Sequence, residues 1–304
     1  MIKKIPLPIT GVALGFAALG NLLQSYSEGV RLCCGVISAV LLILYLVKMI
    51  RYPDSFREDM QNPIMASVFC TSTMALMLLA GYLKPYISVV ADVIWYAAIV
   101  LHVVLMLYFT AKFILKLQMP KVFASYFIVY VGIVVASVSA PAFGATGLGT
   151  GIFWFGFAAL LALLALLVLV TYRYAKFREI PPPAQPLFCI YTAPTSLCLA
   201  GYIQSVQNKS IAMIAFLAIL ATVLYLVVLV KLPKYLKMPF FPSYAAFTFP
   251  FVISAIAMKQ TMACLANMGS PMPWLNVVVI VETVIAVVLC VYALVRYILF
   301  VTAK

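Results

Sequence analysis

The chain is 304 residues long, 66% of them hydrophobic and only 9% charged. A soluble domain carries roughly a quarter charged residues, so this chain cannot cover a water-facing surface, and a mean hydropathy of +1.17 makes it a membrane protein. A net charge of +13 could point to nucleic acid, but the charge is distributed as a topology signal.

Ten apolar runs fall at about 6–26, 30–50, 63–83, 87–111, 121–141, 148–171, 187–206, 210–230, 239–262 and 273–300. A membrane-crossing helix needs about 20 apolar residues, so each run predicts one span. The opening Met1-Ile2-Lys3-Lys4 imitates a signal peptide. Its apolar run is too long for an h-region and lacks a convincing cleavage site, so it reads as a retained first helix.

The even runs are dense in Leu, Val and Ile, as in 160–170. The odd runs carry the small and hydroxylated residues: Gly11 and Gly15, Cys70 to Thr73, Ala136 to Ser139, Ala193 to Ser196, and Phe247 to Pro250. Such residues allow close helix packing and satisfy backbone groups freed by kinks. The odd runs are therefore predicted to be inner helices and the even runs outer ones.

Each odd run opens on a proline after a basic segment: Pro6, Pro63, Pro120, Pro186 and Pro239, spaced 57, 57, 66 and 53 residues apart. Proline suits a first helical turn, where its missing N–H would be unpaired anyway. The spacing predicts five helical hairpins, about 6–50, 63–111, 121–171, 187–230 and 239–300, within a single transmembrane domain. Five hairpins in one orientation can close into a ring around an axial path. Bilayer thickness plus short loops would give a similar period.

An even number of spans puts both termini on one side. With the N-terminus cytoplasmic, sixteen Lys and Arg fall on the inner ends, while only Arg31, Lys84, Lys209 and Lys259 lie outside. This positive-inside asymmetry accounts for the basic charge without nucleic acid.

The seven cysteines form no C-x-x-C pair, and a lone His102 makes a metal cluster or a His-based triad improbable. No phosphate loop, H-E-x-x-H or G-x-S-x-G is present, and no cofactor is implied. An enzyme is therefore not expected.

Counting about 1.5 Å per residue from Pro239 puts Phe249 about 15 Å into its span, near the bilayer middle. Similar counts bring Phe16, Thr73, Gly132 and Pro194 to that depth. A ring beside small residues can form a hydrophobic constriction; it can also simply pack. Lys259, at the outer end of its run, is either a vestibule cation or an interfacial lysine with its head in water. Asp92, His102 and Glu282 are intramembrane ionisable residues, all on even runs. Such groups are functional hypotheses by default, here proton coupling, and contacts between helices or protomers are the other reading.

Taken together, Gly11-x-x-x-Gly15-x-Ala-Ala-Leu, Asn62-Pro63, Ala193-Pro194-x-Ser196 and Tyr244-Ala-Ala-Phe-Thr-Phe-Pro250 resemble the tellurite-resistance/dicarboxylate transporter family. Its members include TehA-type bacterial proteins, fungal malic-acid permeases and plant guard-cell slow anion channels. The resemblance implies an all-α fold of ten transmembrane helices, arranged as five hairpins in a quasi-five-fold ring around a central pore. It also implies a homotrimer in a bacterial cytoplasmic membrane, with both termini cytoplasmic.

The family's pore-closing phenylalanine matches Phe249, with pore or kink positions at Gly11, Gly15, Phe16, Thr73, Gly132, Pro194 and Pro250. The chain lacks the mid-helix prolines common in the bacterial members, having Ala13, Thr73 and Val129 there instead. The function implied is a gated channel for small monovalent anions such as chloride or nitrate. The alternative is a proton-coupled C4-dicarboxylate or tellurite-linked transporter.

Overall fold

The computed structural model describes residues 2–177 and 180–303; for Met119 and residues 167–177 it describes the backbone alone. Arg178 and Lys304, both counted among the inner cations, lie outside the described residues. Twelve α-helices occur among the described residues: α1 (Ile9–Leu23), α2 (Glu28–Arg51), α3 (Pro53–Asp59), α4 (Pro63–Leu83), α5 (Ser88–Phe109), α6 (Tyr126–Tyr130), α7 (Val134–Ser139), α8 (Thr146–Phe177), α9 (Ala193–Ser205), α10 (Ile211–Leu236), α11 (Phe249–Asn267) and α12 (Leu275–Thr302). Eight stretches among the described residues are long and apolar enough to cross a membrane, and Ile9–Leu23 and Val134–Phe143 are shorter apolar helices.

The ten runs are therefore not ten equivalent helices. The first is shortened because residues 6–11 begin with three-residue turns, Ile9 N–H bonding to the Pro6 carbonyl and Thr10 N–H to that of Leu7. The fifth breaks at 131–133, between α6 and α7. The seventh and ninth begin as 3-10 helices, Pro182–Thr192 and Pro242–Phe247, before turning into α9 and α11.

The five-proline rule needs correction for the same reason. Pro63 does open α4, capped by Asn62, whose Oδ1 accepts from Ile64 N–H at 2.9 Å and Met65 N–H at 3.3 Å. Pro186 instead lies inside a 3-10 helix, and Pro242, not Pro239, starts the ninth helical segment. The prolines that begin α-helices there are Pro194 and Pro250, in the first turns of α9 and α11.

Burial follows the small-residue pattern. The apolar windows of Pro63–Leu83, Pro182–Ser205 and Pro242–Asn267 are 67%, 89% and 67% buried, while those of the leucine- and valine-rich spans lie between 28% and 39%. Lipid-facing helices need few internal partners, whereas close inner packing demands small residues. Gly201 faces Val134 and Ser137, and Gly156 faces Val134, so α8 and α9 both lie against α7 where a larger side chain would clash.

Contacts run from α1 to α4, from α4 to α6 and α7, from α7 to α9, from α9 to α11, and from α11 back to α1. The chain ends meet at one end of the bundle, where Lys4 Nζ donates to the Ala303 carbonyl at 2.7 Å.

Candidate functional site

The five segments linked by these contacts enclose a cavity of about 260 Å³. Its wall includes Gly11 and Leu14 of α1, Val68 and Thr71 of α4, Phe127 and Gly132 around the fifth-run break, Ala193 and Pro194 of α9, and Phe249 and Pro250 of α11. Pro8, Asn62, Pro183 and Pro242 also line it, so it extends toward the end of the bundle that holds the termini. Among the described residues, no charged side chain lines it.

Phe249, 6% exposed, opens α11 immediately after the break at Thr248, whose backbone leaves helical geometry at φ −99° and ψ −96°. The break is held from α1: Thr248 Oγ1 lies 2.7 Å from the Ala245 carbonyl and 3.1 Å from that of Gly11. Gly15 completes the contact. A methyl group there would lie 3.0 Å from Phe249 N, and closer still to the Thr248 side chain. The Gly11-x-x-x-Gly15 stripe thus seats the ninth segment's bend rather than flexing its own helix.

The seventh and ninth segments are joined where both change from 3-10 to α. Ser196 and Ser254 hydroxyls lie 3.1 Å apart, and both donate to the Thr192 carbonyl, at 2.8 Å and 3.3 Å. The N-terminal turns of α9 and α11 therefore reach the cavity, and a helix N-terminus carries partial positive charge. An apolar wall with two such ends favours an anion without fixing it by a full counter-charge.

The structure brings together Gly11, Gly132, Pro194, Phe249 and Pro250 on one cavity wall, with Gly15 directly behind. Phe16 and Thr73 do not line it. Thr71 does, and its hydroxyl is 2.8 Å from that of Thr10. The stripe Ile64, Val68 and Thr71 shows the helical spacing that identifies the cavity face, and Thr73, two residues on, points the other way. Depth alone selected Thr73; periodicity within the run selects Thr71.

Thr73 meets His102 instead. His102 Nδ1 lies 2.7 Å from Thr73 Oγ1, and Nε2 lies 3.0 Å from the Val129 carbonyl. A carbonyl only accepts, so Nε2 carries the proton. His102 is fully buried and Glu282 is 4% exposed. Both are covered by the chain itself, and His102 faces inward from α5. Asp92 pairs with Lys84. Lys259 Nζ donates to the Leu22 carbonyl at 3.0 Å and to Ser25 Oγ at 2.6 Å, tying α11 to the end of α1.

Removing the imidazole leaves the Val129 carbonyl without its donor in a dry interior. We expect His102→Ala to cost about 1–3 kcal/mol, and His102→Gln, which keeps a donor, to cost less. Thermal unfolding of the purified variants in detergent checks this order.

These features define a multi-pass, all-helical membrane protein whose inner segments, three of them interrupted, surround an apolar cavity. A family model described as voltage-dependent anion channel, SLAC1, matches residues 4–298. The chain belongs to this family of anion channels and transporters. No curated protein matches it significantly.

Proposed function

We propose that the chain is a gated channel for small monovalent anions, with a conduction path along the axis of the five inner segments and Phe249 closing it. The observation that carries this reading is the cavity bounded by all five of those segments, with Phe249 and the positive ends of α9 and α11 on its wall. Five hairpins, each pairing an inner with an outer span, give ten crossings in a quasi-five-fold ring, the shorter α1 and the broken fifth segment included. Chloride- and nitrate-like ions suit a wall of weak dipoles. The family further suggests a homotrimer in a bacterial cytoplasmic membrane, each protomer having its own path.

Proton-coupled carriage of dicarboxylates would route a proton through Asp92, His102 or Glu282. None of the three lines the cavity. Proteoliposome uptake decides between the modes. Chloride or nitrate entry should follow the anion gradient without a pH gradient, and His102→Gln should leave it largely intact. Uptake that requires an inward proton gradient and is lost in His102→Gln would overturn the channel reading.

Topology has its own test. Both chain ends and residue 116 belong to the cytoplasmic end in this reading, and residue 208 to the opposite one. On a cysteine-free background, an impermeant maleimide added to intact cells should label Asn208→Cys and spare Lys116→Cys. The reverse pattern would invert the orientation.

A further inference from the structure

At the end of the bundle opposite the termini, a second cleft of about 730 Å³ lies between the C-terminal ends of α9 and α11 and the 206–210 loop. Five carboxamides line it, Gln204, Gln207, Asn208, Gln260 and Asn267, together with Lys209. Among the described residues, no acidic one does so. None of these six side chains has a hydrogen bond or ion pair within the described structure, although most other polar side chains near this end are engaged: Arg31 with Glu28, Lys84 with Asp92, Lys259 with Ser25. The loop bearing Asn208 and Lys209 is fixed, because Ser210 N–H donates to Tyr202 Oη at 2.7 Å.

We infer that this cleft is a binding site for a small planar oxyanion, such as nitrate or a simple carboxylate. Among the described lining residues Lys209 alone carries a formal charge, and its ammonium attracts an anion against the weaker partial negative charge of the two helix C-termini. The carboxamides supply N–H donors from two helices and a loop. Gln260 Oε1 is covered and has no donor, so this amide has its N–H₂ end to offer an acceptor. A flat ion with several in-plane oxygens can engage donors arriving from different directions at once, whereas a halide presents a single centre. The axial cavity, by contrast, has no charged side chain among its described lining residues, and in the proposed reading only helix N-termini attract an anion there.

The test reads binding directly and needs no conduction, so it can fail while the channel reading stands. Ala263, exposed and on the cleft wall, becomes the reporter as Ala263→Cys, with Cys33→Ser and Cys264→Ala removing the exposed thiol and the one lining the cleft. The rate of modification by an anionic methanethiosulfonate sulfonate is measured on the purified protein. Nitrate or formate at twice its dissociation constant should slow labelling about threefold by mass action, and chloride at the same concentration should slow it less. Lys209→Met should abolish the protection, as should Gln204→Leu with Gln260→Leu, a pair that leaves the loop untouched. Equal protection by chloride, protection that survives Lys209→Met, or no protection by either oxyanion would each overturn the assignment.

Discussion

Phe249→Ala should convert a nearly silent protein into one that passes large anion currents. The ring stands at the first turn of α11, directly after the break at Thr248, so no continuous helix lies behind it. A narrow apolar constriction bars an ion by its size and by excluding water, and deleting the ring removes both barriers without touching the α9 and α11 termini. The opened path should therefore remain anion-selective. Phe249→Gly should behave like Phe249→Ala. Phe249→Leu keeps enough apolar bulk to open the path much less. Two-electrode recordings at matched surface expression check the order, and a Leu variant as open as Ala would show that bulk at this position is not what closes the path.

Gly15→Ala should have the second-largest effect, and it should act on the same ring from behind. The added methyl would stand 3.0 Å from Phe249 N and overlap the Thr248 side chain. Phe249 N is backbone and Thr248 Cβ is fixed directly to it, so neither can rotate away as the tip of a flexible side chain could. Overpacking of this kind costs about 1–3 kcal/mol. A lower unfolding temperature together with an altered basal current is the expected pair of readouts. Gly151→Ala, where an added methyl meets nothing, should change neither. An unshifted unfolding temperature for Gly15→Ala would mean that α1 does not hold the bend.

What the sequence discloses here depends on which physical signal each residue leaves. Hydropathy and small-residue content separated inner from outer runs because lipid-facing helices and tightly packed ones obey different compositional demands. Gly11 and Gly15 were visible as a close-packing stripe, and Pro250 beside Phe249 marked an irregular ninth segment. The interruptions themselves were less legible. The fifth run breaks at 131–133 without a proline, and its Gly132 gave only a weak sign of it. The long 3-10 stretches before α9 and α11 displace the openings expected at Pro186 and Pro239, since a 3-10 turn leaves no compositional mark distinct from an α-turn.

Side-chain direction was the other blind spot. Counting depth along a run puts Thr73 and Phe16 level with Phe249, but neither is among the residues that line the cavity. His102 shows the limit most plainly: one histidine on an outer helix reads as either a proton relay or a packing residue. Only its partners, Thr73 and the Val129 carbonyl, show it bridging the third and fifth segments.

The most direct test of the central claim is the macroscopic current of Phe249→Ala in a chloride or nitrate gradient, compared with wild type at matched surface expression. The account predicts a large gain of current that reverses near the equilibrium potential of the anion. A well-folded Phe249→Ala protein with no more current than wild type would contradict it.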